Sequence, residues 1–93
     1  MIAPTTVLRK CADARYRNVG GEGIVVRQRV GEVLVLNDVG ARVLDLLASG
    51  PPVSALVEAL AVEYDIDTST LEQDVLAYLQ ELVDAGVIEP VAA

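Results

Sequence analysis

The chain has 93 residues, 53% of them hydrophobic, a net charge of −7, one cysteine, no histidine, and no aromatic residue other than three tyrosines. That length suits one domain, near the lower limit at which a core folds without disulfides or metal, so the core has to come from Val, Leu, Ile and Ala. The missing histidine excludes Ser–His and Cys–His nucleophile pairs and the commonest zinc ligand, and the lone Cys11 excludes an internal disulfide framework.

Residues 1–13 lack clear periodicity apart from Val7-Leu8, and Pro4 with Thr5-Thr6 marks a loosely held N-terminal arm. Ala14 to Val19 predicts a short strand, closed by Gly20-Gly21-Glu22-Gly23, whose glycines permit a tight turn. Ile24–Gln28 and Glu32–Leu36 predict two more strands, rich in β-branched residues and joined at Gly31. A two-residue loop sets Arg27 opposite Leu34. A three-residue loop, Arg29 to Gly31, sets Val26 opposite Leu34 and Ile24 opposite Leu36. The second choice is preferred, because it gathers Ile24, Val26, Leu34 and Leu36 on one buried face and puts Gly31 at the left-handed position of the loop. Val25, Arg27, Val33 and Val35 are then expected on the opposite face, an apolar surface with nothing obvious to cover it.

Three helices follow. The first starts at Asn37-Asp38, carries Val39, Val43, Leu44, Leu46 and Leu47 at helical spacing, and stops at Ser49-Gly50-Pro51-Pro52. The second runs from about Val53 to Tyr64, with Asp65 to Asp67 as the break. The third has Ser69 and Glu72 in capping-box spacing and an apolar stripe of Leu71, Val75, Leu79, Leu82 and Val83, ending at Gly86. Val87-Ile88 packs as a short tail before Pro90, with residues 90–93 beyond the domain. The pattern is α+β, a three-stranded antiparallel sheet with three helices in winged-helix-like order.

Charge is divided unevenly. All seven basic residues precede position 43, giving that part +3, whereas the remainder carries −10 and no base. A DNA-binding reading would send the third helix into the major groove, but that helix bears Glu72, Asp74, Glu81 and Asp84 and no Lys or Arg, so phosphates would repel it. The rival that survives is a regulator using Arg15, Arg17, Arg27 and Arg29 of the sheet. The acidic pairs Glu72/Asp74 and Glu81/Asp84 read as the solvated face of an amphipathic helix, not as a general acid and base. Gly20 to Gly23 lacks the following helix and the Lys-Ser or Lys-Thr of a phosphate loop. Cys11, beside Arg9 and Lys10, has neither a His nor a second Cys and receives no role. With no secretory signal and no apolar run near 20 residues, the expectation is a cytoplasmic protein without a membrane span, cofactor or metal, monomeric or weakly dimeric.

Several residues in this order resemble the PqqD-like family, also called RiPP recognition elements. They are Val35-Leu36-Asn37 with Gly40-Ala41 at the strand-to-helix junction, Leu46 to Gly50 at a helix end, Leu60 with Tyr64, Asp74-Val75, Leu79, Leu82, and Gly86-Val87-Ile88. The resemblance covers about residues 14–89. It implies a non-catalytic protein that takes up the leader region of a ribosomally made precursor peptide as a fourth strand along the outer strand, in a groove walled by the third helix. Carried onto this chain, the implied contacts are Val33, Leu34, Val35 and Leu36 on the strand and Leu71, Asp74, Val75, Tyr78 and Leu82 on the helix. The implied partners are that leader and a separate leader protease or modifying enzyme, with no nucleic acid and no membrane. Within the family the chain is most similar to the stand-alone proteins of lasso-peptide biosynthesis. A peptide chaperone of pyrroloquinoline quinone assembly is the alternative.

Overall fold

The structure, a computed structural model, describes residues 2–91. In chain order its elements are β1 (Leu8–Lys10), β2 (Ala14–Val19), β3 (Glu22–Arg27), β4 (Glu32–Leu36), α1 (Asp38–Leu47), α2 (Val53–Tyr64), α3 (Thr68–Asp84) and β5 (Ile88–Pro90). Strands β2-β3-β4 form an antiparallel sheet in that order, and β1 pairs with β5 in a separate two-stranded ladder. The fold is therefore α+β, with three helices and a three-stranded sheet, as the sequence implies.

The β2–β3 turn is Gly20-Gly21 with φ of 60° and 92°. Positive φ at both central residues is the type I′ geometry that matches the twist of a two-residue hairpin. At the next hairpin the pairing corrects the expected register. Val25 lies opposite Leu34, Ile24 opposite Val35 and Val26 opposite Val33, with Arg27 and Glu32 closing a four-residue loop. Gly31 does take the left-handed conformation, at φ 67°. Val25, at 0% exposure, fills the core, and Ile24 and Val26 turn outward. The reason lies at Gly23. A β-carbon there would stand 3.1 Å from the Tyr16 ring, 3.2 Å from Leu36 Cβ and 3.3 Å from Ala41 Cα of α1, so α1 crosses the sheet where β3 has no side chain. With position 23 turned inward, alternation carries Val25 in with it. Ile24-Val25-Val26 is apolar throughout, so the strand's own pattern does not select a face.

The N-terminal segment is not the loose arm expected. Leu8 is 1% exposed and pairs with Pro90, Arg9 with Glu89 and Lys10 with Ile88. The Thr6 carbonyl accepts from Val53 N at 2.8 Å, and Val91 N donates to the Val7 carbonyl at 2.8 Å. Leu8 is large and apolar enough to hold the segment down, and the backbone of the C-terminal tail supplies its partners. Of the expected tail, Pro90 ends β5, and residues 92 and 93 lie outside the described residues.

Asn37 caps α1, its side-chain oxygen accepting from Gly40 N at 2.9 Å. Helix α2 ends on Asp65 in the left-handed region, φ 52°. Helix α3 starts earlier than the expected capping box. Its cap is Asp67, which makes no side-chain bond to the helix backbone, and the Ser69 hydroxyl donates to Asp67 Oδ2 at 2.9 Å. The core joins Val43, Leu44 and Leu47 of α1, Leu56, Val57 and Leu60 of α2, and Val75, Leu79 and Leu82 of α3 to Leu8, Val25, Val87 and Ile88. Burying each such side chain is worth about 1.5–3 kcal/mol. No helix among the described residues is long and apolar enough to cross a membrane.

Candidate functional site

A three-stranded sheet has two edges, and the two differ here. On β2 the Lys10 ammonium donates to the Ala14 carbonyl at 2.6 Å, which satisfies an outward acceptor and obstructs the flank. On β4 no strand or arm pairs on the outer side among the described residues, because β1 is held by β5 instead. An open strand flank is a template for an extended peptide.

Register decides which residues serve that template. The tight turn closed by Val19 and Glu22 sets the even-numbered residues of β3 bonding toward β2, which leaves the odd-numbered ones, Gly23, Val25 and Arg27, to bond β4. Their partners Leu36, Leu34 and Glu32 turn their backbone groups inward to the sheet. Val33 and Val35 therefore aim N–H and C=O at the open flank. Their side chains, 61% and 63% exposed, stand on the outer face of the sheet.

The second half of α3 runs beside this flank. A β-carbon on Gly40 would overlap the Tyr78 hydroxyl and lie 2.8 Å from Leu36 Cβ, so Tyr78 meets the end of β4. At the other end a β-carbon on Gly86 would lie 2.6 Å from Arg27 Nη2, while Arg27 Nη1 bonds Glu32 Oε1 at 2.9 Å. Helix and strand thus run antiparallel. The nine residues from Tyr78 to Gly86 span about 12 Å at helical rise, and β4 spans about 13 Å at strand rise, so the two are matched in length.

The groove is acidic and half-dry. Burial, with the Glu81 carboxylate second, raises the Tyr78 phenol above its ordinary value, so it stays a hydrogen-bond donor. Tyr78 and Glu81 are one turn apart on the same side of α3. Arg27 Nε is buried without a partner even though its Nη1 is engaged by Glu32. A half-open pocket lies elsewhere, among Pro4, Val57, Glu72 and Leu76. Among the described residues no three Cys, Asp or Glu side chains converge in a way that would hold a metal ion.

The structure brings Val33, Leu34, Val35, Leu36 and Tyr78 together at this groove. Leu36, Val75 and Leu82 are buried in the core, and Leu34 is half-buried on the inner face. Asp74 is exposed and Leu71 half-buried against the core; they precede Tyr78 by about 6 and 10 Å of helix, toward the α2–α3 turn. Glu81, Arg27 and Glu32 are not among the peptide contacts expected from sequence. Glu81 shares the helical face of Asp74 and Tyr78, a spacing visible in the chain, whereas Arg27 reaches the groove only through a register that the chain alone leaves open. Of the four arginines a DNA-binding reading would enlist, Arg27 is turned inward and paired.

Comparison with known proteins gives concordant results. Residues 22–88 match the family model of coenzyme PQQ synthesis protein D (PqqD). A PqqA binding protein of Rhodopseudomonas palustris (strain ATCC BAA-98 / CGA009) is 34% identical over 87 residues, 94% of this chain and 78% of that protein. One from strain TIE-1 is 36% identical over 56 residues, 60% of this chain, and there the match spans 55% of the relative's length. Among solved structures, TbiB1 in complex with the TbiA(beta) leader peptide superposes with a TM-score of 0.82 at 25% identity, covering 91% of this chain and 99% of that one.

Proposed function

The chain belongs to the PqqD family, and from that premise we propose that it captures the leader segment of a ribosomally made precursor peptide as an added strand on β4. The observation that carries this reading is the outward-turned backbone of Val33 and Val35 beside Tyr78. Those groups offer about four backbone hydrogen bonds. At about 0.5–1.5 kcal/mol each they supply at most about 6 kcal/mol, whereas micromolar binding needs about 8. Side chains entering between Leu34 and the Tyr78–Glu81 wall provide the rest and the selectivity, and Leu36, Val75 and Leu82 support that wall from beneath.

The role is binding, not catalysis. The captured leader is handed in the cytoplasm to a separate protease or modifying enzyme, as in lasso-peptide biosynthesis, a reading favoured by the likeness to a leader-bound protein. The names of the relatives favour a second reading, delivery of a PqqA-type precursor.

Amide hydrogen exchange with and without a synthetic leader from the precursor gene nearest its own tests the capture. The Val33 and Val35 amides should become protected while the Leu34 amide, already bonded to β3, changes little. Binding that leaves both valine amides exchanging freely would refute strand addition. Leaders of the lasso and PqqA types, titrated side by side, separate the two cargoes. Sedimentation at low concentration checks that β4 is not closed by a stable dimer.

A further inference from the structure

Among the described residues, Arg9, Arg27 and Arg42 are each engaged by a carboxylate, those of Glu89, Glu32 and Glu63, at 2.7–2.9 Å. Lys10 is engaged by backbone carbonyls. The arginines with no ion pair are Arg15, Arg17 and Arg29, and they share a location. Arg29 is exposed at the tip of the β3–β4 hairpin. Arg15 and Arg17 project from β2 onto the outer face of the sheet, where the cross-strand rows are Arg17–Ile24–Val35 and Arg15–Val26–Val33. No helix covers these rows, since α1 packs on the opposite face against Gly23 and Tyr16.

An apolar strip bordered by unpaired cations differs from an ordinary solvated sheet face, where polar side chains alternate with the core. We propose that this face docks a protein whose own surface is apolar with an acidic rim, and that this protein is the enzyme acting on the captured peptide. The proposal rests on leader capture at β4. Charge selects the orientation. Residues 43–93, which hold α2, α3 and most of α1, carry −10 and no base, so an acid-rimmed partner is repelled from that side and drawn to the arginines. Position selects the occupant. A leader added to β4 lengthens both rows by one strand, so an enzyme seated on the face lies against the outward side chains of its own substrate. A second copy packed face to face would oppose arginine to arginine. A bilayer surface is a poor match for a flat Val/Ile strip in a chain with no Trp or Phe.

The test titrates the purified protease or modifying enzyme encoded beside the protein against labelled wild type, Arg15→Glu/Arg17→Glu and Ile24→Thr/Val26→Thr, each with leader bound. Threonine keeps the β-branch, and both arginines are exposed, so the two variants probe the face independently. Each should weaken the enzyme complex at least about tenfold, and the wild-type complex should weaken as salt rises. Leader affinity, read in parallel by polarisation, should stay within about twofold, because neither pair supplies a backbone group to the open flank of β4. No enzyme complex, a complex indifferent to both variants, self-association through this face, or binding to phosphatidylserine vesicles or duplex DNA that the arginine variant abolishes would each overturn the proposal. A wild type that binds no leader overturns the capture reading instead.

Discussion

Replacing Val35 by proline removes one N–H from the open flank of β4 and none from the ladder to β3, because the pairing with Ile24 is of the type that exchanges no hydrogen bonds. Proline is tolerated on sheet edges when its missing N–H faces away from the neighbouring strand. The folded state should therefore lose only about 1–2 kcal/mol, from φ adjustment, against a total expected to be about 5–14 kcal/mol for this length. Binding suffers more. The leader carbonyl that faced Val35 loses its donor and meets the proline ring, an unsatisfied group worth about 1–3 kcal/mol, or roughly 5- to 150-fold in Kd. Val33→Pro should behave alike. Leu34→Pro should not, since its N–H bonds Val25 in the sheet interior, and this variant should lose cooperative folding. The assay is a thermal melt paired with fluorescence polarisation of a labelled leader. Folded Val33→Pro and Val35→Pro proteins with wild-type affinity, or a Leu34→Pro protein as stable as either, would refute the register and the site together.

Further expectations rest on other contacts. Gly40→Ala gains up to about 1 kcal/mol of helix propensity, but its methyl collides with Leu36 Cβ, an atom tied to the backbone, and with the Tyr78 hydroxyl. A net loss of about 1–2 kcal/mol should lower Tm by about 4–15 °C, partly recovered by adding Tyr78→Phe; an unchanged or higher Tm would contradict the close approach of α1 and α3. Tyr78→Ala should weaken leader binding by about 1–3 kcal/mol in the same polarisation assay, as expected for a groove-edge anchor. Burial and the hydrogen bond to Asp45 push the Tyr16 phenol up to about 12 from 10.0. Its contribution is fully present below pH 10 and is lost as pH climbs from 10 toward 12, so Tyr16→Phe should flatten the alkaline fall of stability in that window. Alkaline denaturation curves of the two proteins, followed by circular dichroism, would show it, and identical slopes would exclude it.

The helices were legible in the chain because their signals are local. Asn37 precedes an apolar 3.6-residue pattern, Ser49-Gly50-Pro51-Pro52 ends it, and α2 occupies Val53–Tyr64 as expected. The start of α3 was displaced because Ser69 found a partner in Asp67 rather than in the helix backbone. For the groove, the family resemblance carried by the sequence implies an outer strand and an acidic helix with Tyr78 on it. Tertiary structure decides which backbone groups face outward, and it brings Arg27 and Glu81 to the margin.

The order and kind of the main elements were written in periodicity and turn residues, which depend on neighbours a few positions apart. The pairing of Leu8 with Pro90 and the choice of Val25 over Ile24 and Val26 depend on surfaces far apart in sequence. A run of three apolar residues is equally ready to bury either side. Only α1, lying across a strand position without a side chain, makes one side the interior and leaves the other as a basic, apolar face toward solvent.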